Sequence, residues 1–401
     1  MGETFSWQPL AWRYRALSTG GELQCVQPLA SLPPPSKKNL LIIYAGGDAP
    51  GMEEVTRQLG LNLLIGRGKR LYGALNGPAS LTCCNPPQVV KLTAEVLRTL
   101  SSDQEFLLGT GDRRHGPFDR IADRPPEPSP LDFFETGASI FQGGIVIIGG
   151  GGSCLMAARL ARLGVKIFFV GASVDGGVPL VGRPLGLDSS ARWNVEERLR
   201  PIRRSAASCN KLHIVQVMGN DRGELLHEVA RLAGPQLVDA TVAPGTDVPV
   251  SLEKEVYPRL MENLGRNRGA VLLIAEKGRY RTYEKADIGQ FDPPQDPLDL
   301  SGISDFASVL KKDINVWAWA NGLRRAIGVR INPRNHDERR PPISEGDQAL
   351  AKTLADRLTV AILEGAFGMA VTDQGNLASL ASLASNIPEN RLRTPGYEEV
   401  L

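Results

Sequence analysis

A large α/β protein with two parallel or mixed sheets is the fold class that the sequence predicts, and three observations carry it. Short apolar runs of strand length alternate with stretches of helical periodicity along most of the chain. Several of these runs end directly in glycines, which suits strands that must turn sharply into a helix. The 401 residues, 42% of them hydrophobic, are enough for two or three domain-sized units, and 43 are glycine, well above the usual ~7%.

The elements follow in order. Residues 1–37 form a separate extension with Trp7 and Trp12, ending in Leu32-Pro33-Pro34-Pro35-Ser36-Lys37-Lys38, whose composition predicts a stiff extended linker. Leu40-Leu41-Ile42-Ile43-Tyr44 reads as a buried strand entering a tight turn at 45–52, with a helix from near Glu53. Residues 144–148 form a second apolar run, followed by Gly149, Gly150, Gly151 and Gly152. Leu155, Met156, Leu160 and Leu163 have helical spacing, with Ser153 placed as the N-cap. A strand at 165–170 completes a βαβ unit, and hence a parallel sheet covered on both faces. Further on, 212–218 and 270–275 read as strands, 222–232 and 349–363 as helices, and the Asp- and Pro-rich 286–301 as a surface loop.

Composition excludes several classes of function. Lys and Arg total 46 against 44 Asp and Glu, so the excess of positive charge that drives nucleic-acid binding is missing. No apolar run reaches the ~18 residues of a membrane span, and no apolar core of a secretory signal follows Arg13 and Arg15. Met1-Gly2-Glu3-Thr4-Phe5-Ser6 fits a myristoylation pattern, but one so short that a plain N-terminus is the preferred reading. Cys25, Cys83, Cys84, Cys154 and Cys209 lack metal-ligand spacing, so free thiols in a reducing, cytoplasmic setting are expected.

Chemistry is expected where strands end, because helix N-termini offer free N–H groups and a positive dipole to anions. Three turns qualify: 46–52, 149–153 and 171–177. Their glycines let backbone approach a phosphate, and Ser153 adds a hydroxyl. No Gly-Lys-Ser/Thr is present, and Cys154 stands where a dinucleotide fingerprint needs its third glycine. One such turn could serve helix–strand packing alone; three along one sheet edge favour anion binding.

With these motifs in hand, the chain resembles the 6-phosphofructokinase family over about residues 39–383. The resemblance rests on Gly46-Gly47-Asp48-Ala49-Pro50-Gly51-Met52, Leu71-Tyr72-Gly73, Leu108-Gly109-Thr110-Gly111, Val146-Ile147-Ile148-Gly149-Gly150-Gly151-Gly152-Ser153 and Val215-Gln216-Val217-Met218-Gly219. It implies transfer of a phosphoryl group from ATP or pyrophosphate to fructose 6-phosphate, with Mg²⁺, by two α/β domains with the active site in the cleft between them. It also implies an oligomer, of identical chains or with a related chain. The domains implied are 38–187 plus about 333–383, of nucleotide type, and 188–332 plus about 384–401, of sugar-phosphate type.

By the same resemblance Asp175 is the base, with Ser173 beside it, and Gly177 replaces a second Asp. The Gly47 N–H faces the transferred group, while Gly46, the Gly149–Gly152 run, Ser153 and Arg113 hold donor phosphates. The sugar phosphate falls to Lys211, Met218, Gly219, Asn220, Glu276, Arg325 and Arg334, with Ile331 where the family has His. Gly151 replaces the Asp that holds Mg²⁺, a loss that Asp48 or Asp175 would have to make good. Gly152 and Ala172 are small, as in relatives that use ATP. Two functions therefore stand: a divergent phosphotransferase of impaired or altered activity, or a catalytically inactive paralogue serving as a regulatory or structural subunit.

Overall fold

The structure is a computed structural model and describes residues 14–17, 23–26, 28–78, 88–100, 108–110, 137–219, 222–243, 252–275, 304–323 and 326–384. It opens with β1 (Tyr14–Leu17), β2 (Leu23–Val26), β3 (Asn39–Ala45), α1 (Met52–Leu64), β4 (Arg70–Ala74), β5 (Val89–Leu92) and α2 (Ala94–Thr99). There follow β6 (Gly144–Gly149), α3 (Gly151–Arg162), β7 (Ile167–Gly171) and α4 (Leu187–Trp193), which passes through a π-helical turn (Asn194–Leu199) into α5 (Arg200–Cys209). Next come β8 (Leu212–Val217), α6 (Glu224–Ala233), β9 (Ala240–Val242), a second π turn (Leu252–Val256) leading into α7 (Tyr257–Gly265), and β10 (Ala270–Ala275). The described chain closes with α8 (Ser304–Ala320), β11 (Val329–Asn332), a 3₁₀ turn (His336–Arg339), α9 (Glu345–Glu364), β12 (Met369–Val371), β13 (Leu377–Ser379) and α10 (Ala381–Ala384).

Contacts gather these elements into two units. The first comprises residues up to Gly47, Met52–Val170 and those from Ala351 onward; the second comprises Asp48–Gly51 and Gly171–Leu350. These divisions fall at 170/171 and 350/351, where the sequence reading placed them at 187/188 and 332/333.

The first unit is built on a seven-stranded sheet of order β13-β12-β7-β6-β3-β4-β5. β3 runs parallel to β4 and β6, and β12 to β7, while the edge strands β5 and β13 pair antiparallel. Every residue of β3, β6 and β7 is buried, as expected of parallel strands covered on both faces. The register pairs Ala45 with Gly149 at the ends of β3 and β6. A Cβ on Gly149 would sit 2.1 Å from the Ala45 carbonyl oxygen, so only glycine lets the two strand ends come this close. The buried Tyr44 hydroxyl contacts Glu53 Oε2 at 3.0 Å and Thr56 Oγ1 at 2.7 Å, tying β3 to the first turn of α1.

The second unit holds a wholly parallel four-stranded sheet of order β11-β8-β10-β9. Leu212, Ile214, Leu272 and Ile274 from its strands pack with Leu260 of α7 and Leu310 and Ile314 of α8. The strand expected at 165–170 begins at Ile167, and the helix expected from 349 begins at Glu345. α9 starts early because Ser344 caps it, its hydroxyl accepting from the Asp347 N–H at 3.2 Å. The loop expected at 286–301 lies outside the described residues. No described helix is long and apolar enough to cross a membrane.

Candidate functional site

Strands β3, β6 and β7 are neighbours in the first sheet, so the three glycine-bearing turns leave the carboxyl ends of adjacent strands. In the first unit, Gly46 (φ +96°) has its Cβ position 3.5 Å from Ser153 Oγ and 3.9 Å from the Gly150 nitrogen, bringing the turns after β3 and β6 together. Gly150 is the N-cap of α3, so Gly151 and Gly152 form its first positions and present N–H groups at the positive end of the helix dipole. No acidic residue stands in that first turn, and a Cβ on Gly152 would meet open space. The expectation that Ser153 caps α3 is corrected. Ser153 lies inside the first turn, and its hydroxyl donates to the Ala45 carbonyl at 2.9 Å, using its proton to hold β3 against α3.

In the second unit, the turn that carries Asp175 is held from two sides. Ser173 Oγ accepts from the Asp175 N–H and donates to the Gly176 carbonyl, both at 3.2 Å. Glu224, the first residue of α6, accepts from the Gly177 N–H at 2.9 Å. Asp175 is left with a side chain 19% exposed, with Oδ1 buried and without a hydrogen-bond partner and Oδ2 3.7 Å from Arg339 Nη2.

Arg339 and its neighbour Arg340 meet a second acid. Arg340 places Nε at 2.9 Å and Nη2 at 2.8 Å from Asp48 Oδ2, and Arg339 Nη1 donates to the Asp48 carbonyl at 3.4 Å. Both arginines ride on a braced turn. Asn335 caps the 3₁₀ segment, and Glu338 reaches back to the Asn335 N–H at 3.0 Å, completing a capping box. Glu338 is fully buried; it also accepts from the Met218 N–H at 2.9 Å, from Asn194 and from the Arg198 guanidinium. Burial pushes the Glu338 carboxyl above its usual range, against the opposing pull of Arg198 and the N–H donors. Burial likewise lowers Arg198, while Glu338 supports its charge.

The sugar-side candidates divide. Met218 and Gly219 are buried at the end of β8, with Met218 fixed through Glu338. Lys211 flanks the start of the same strand, and on the neighbouring β11 Arg330 is paired in register with His213. Burial holds the His213 imidazole below its ordinary value, and Arg330 and then Lys211 add to the depression, so these two cations converge on one face. Arg330 was missed in the sequence. Partial burial, then Arg334 and Arg339, lower His336, which places Arg334 with the arginine-rich turn. Ile331 packs against the hydrophobic core of the second unit. Arg113, Asn220, Glu276 and Arg325 lie outside the described residues.

Glu224, Arg339, Arg340 and the Arg198–Glu338 pair were also missed. The Asn335-x-x-Glu338 pattern is a capping-box signal that was legible; the partner of each arginine was not.

A profile of the family described as phosphofructokinase matches residues 39–316, well over half of the chain. The chain belongs to the phosphofructokinase family. It is 25% identical to the ATP-dependent 6-phosphofructokinase of Lactobacillus delbrueckii subsp. bulgaricus, over 83% of this chain and 89% of that one. It is 23% identical to the Bacillus subtilis (strain 168) enzyme of the same name, over 84% and 90%. Among solved structures it matches the phosphofructokinase of Saccharomyces cerevisiae with a TM-score of 0.64 at 18% identity, covering 90% of this chain but only 45% of the yeast chain. It matches the pyrophosphate-dependent phosphofructokinase of Nitrosospira multiformis with a TM-score of 0.63 at 15% identity, over 88% and 87%. At these identities the solved structures establish the phosphofructokinase fold alone.

Phosphofructokinases in general work on a sugar phosphate with a nucleotide and Mg²⁺, and the donor set here can be tested against that ion. Mg²⁺ requires carboxylate and phosphate oxygens at short, regular distances. Position 151 is glycine, Asp48 is engaged by Arg340, and Asp175 faces Arg339. Among the described residues no three His, Cys, Asp or Glu side chains are grouped to hold a metal. These residues do not fit Mg²⁺, so neither Asp48 nor Asp175 makes good the missing Asp.

Proposed function

We propose that the chain is a sugar-phosphate phosphotransferase that transfers the terminal phosphoryl group of ATP to a hydroxyl of fructose 6-phosphate or a related sugar phosphate, with Asp175 as base. The observation that carries this reading is the buried Asp175 Oδ1, which lacks a partner while the turn around it is fixed by Ser173 and Glu224. A buried acceptor left unpaired is costly, and a ligand hydroxyl would satisfy it. In the step proposed, the hydroxyl oxygen bonds to the terminal phosphorus as its proton passes to Asp175. The bond from that phosphorus to the bridging oxygen breaks and ADP leaves. The N–H groups at Gly46, Gly47 and Gly149–Gly152 suit the donor phosphates, and the small Gly152 and Ala172 favour ATP as donor.

A second reading is favoured by a specific observation. Gly151 and Gly177 remove two carboxylates, and Glu224 now binds the Gly177 N–H. On that basis the chain would keep phosphate ligands but no turnover, acting as a subunit beside an identical or related chain. Assay of the purified protein with fructose 6-phosphate, Mg²⁺ and either ATP or pyrophosphate separates the two. The first reading expects turnover that falls about 10²- to 10⁴-fold in Asp175→Asn. Calorimetric binding of both ligands without turnover supports the second.

A further inference from the structure

The disagreement between this donor set and a divalent ion has a positive counterpart in the second unit. Asp48 and Asp175 each face a guanidinium, and the two guanidinium groups are consecutive in sequence. Arg339 reaches both residues, with Nη1 toward the Asp48 backbone carbonyl and Nη2 toward the Asp175 carboxylate. Arg340 spends only Nε and Nη2 on Asp48, and its side chain is 70% exposed. A guanidinium has five N–H donors in a fixed fork, so Arg340 retains donors for a phosphate oxygen. The turn that carries both cations is immobilised by the Asn335 cap and by the buried Glu338. Fixed, oriented positive charge is what stabilises a transferring phosphoryl group, whether a metal or an arginine supplies it.

We propose that Arg339 and Arg340 take the place of a divalent cation as the positive charge of this centre, so that it accepts a polyphosphate such as ATP without Mg²⁺. This rests on the phosphate-binding reading above and deepens it, since it names metal-free ATP as the form that is bound. Each acid already faces a permanent cation, whose charge opposes the approach of a metal ion to either carboxylate.

Two measurements on the full chain test this. Calorimetric titration with ATP is run in excess Mg²⁺ and again in EDTA. Affinity is expected to be equal or higher in EDTA, and to fall about tenfold in Arg340→Ala in both buffers, as for loss of a charge-assisted contact. Paramagnetic titration with Mn²⁺ is expected to give no saturable site on the wild type. It should reveal one on the Arg339→Ala/Arg340→Ala variant, which frees both carboxylates, and lose it again when Asp175→Asn is added. ATP binding that requires Mg²⁺ overturns the proposal, as does a wild-type Mn²⁺ site abolished by Asp175→Asn. Failure of ATP to bind in either buffer overturns the phosphate reading instead. Charge replacement is then decided by the Mn²⁺ titration alone, gain of the site in the double variant supporting it and absence of gain overturning it.

Discussion

Asp175 depends on the two glycines that follow it. Gly176 and Gly177 have φ of +76° and +69°, a region that residues with a Cβ enter at a cost. At Gly176 the space is also filled, since a Cβ there would stand 2.0 Å from Glu224 Oε2 and 2.6 Å from Glu224 Cβ. The Gly177 backbone N–H is thereby bound to a carboxylate from another element. Gly176→Ala is expected to lower stability by about 1–3 kcal/mol in urea unfolding, from strain at a left-handed position. Adding Glu224→Ala should recover part of the loss, because it removes the overlap with the carboxylate, though neither that with the Cβ nor the unfavourable φ; an additive double mutant would exclude that account.

At the level of elements, one buried ion pair organises several backbone segments of the second unit. Arg198, in the π-helical turn between α4 and α5, donates to the Gln216 carbonyl at 3.1 Å and to the Pro333 carbonyl at 2.7 Å as well as to Glu338. The pair therefore joins β8, the loop after β11 and the turn bearing Arg339 and Arg340. Single π turns inside helices recur at functional positions, and here the turn delivers the Arg198 side chain to its buried partner. Arg198→Ala is expected to cost about 3–5 kcal/mol, because it leaves Glu338 buried without its counter-charge. Glu338→Gln should cost less, since its amide oxygen still accepts from the Met218 or Asn335 N–H. Chemical denaturation of the two variants checks the order.

Across the whole molecule each unit has its own sheet and buried core, and in the second a set of acids shapes the response to pH. Burial raises Asp347 above its ordinary value of 3.8, against the hydrogen bonds from Ser189 and the charge of Arg183. The folded chain therefore holds this proton more tightly than the unfolded chain does. The stability it contributes is complete below pH 3.8 and is lost as pH rises through the higher folded value. Asp188 behaves oppositely: burial would raise it, but Ser344, Arg192 and Arg183 prevail and lower it, so its contribution is present at neutral pH and is lost on acidification. Asp347→Asn is expected to remove one component of the slope. The stability difference between variant and wild type should shift in favour of the variant as pH rises from about 4 toward 7. Thermal melting at a series of pH values measures that difference, and a constant offset would show Asp347 to titrate normally.

Several strands and turns were legible before any coordinates. Residues 40–44, 144–148, 212–218 and 270–275 read as strands, and the glycine turns after β3 and β6 declared themselves, because burial on both faces and sharp reversal leave local signatures in composition. The antiparallel edge strands were invisible, since β5 has only four residues and β13 three, too few for any period to register. Ser153 was read as the N-cap of α3 but stands inside its first turn, and its acceptor, Ala45, lies 108 residues earlier, beyond any local pattern. Local order thus followed from the chain's own pattern of apolar residues and glycines. The charge partners did not: Arg340 meets Asp48 across 292 residues, and any of the chain's 46 basic side chains could have satisfied that acid on composition alone. Which one does so is settled by packing, because an ion pair is made by proximity in space and leaves no period in the sequence.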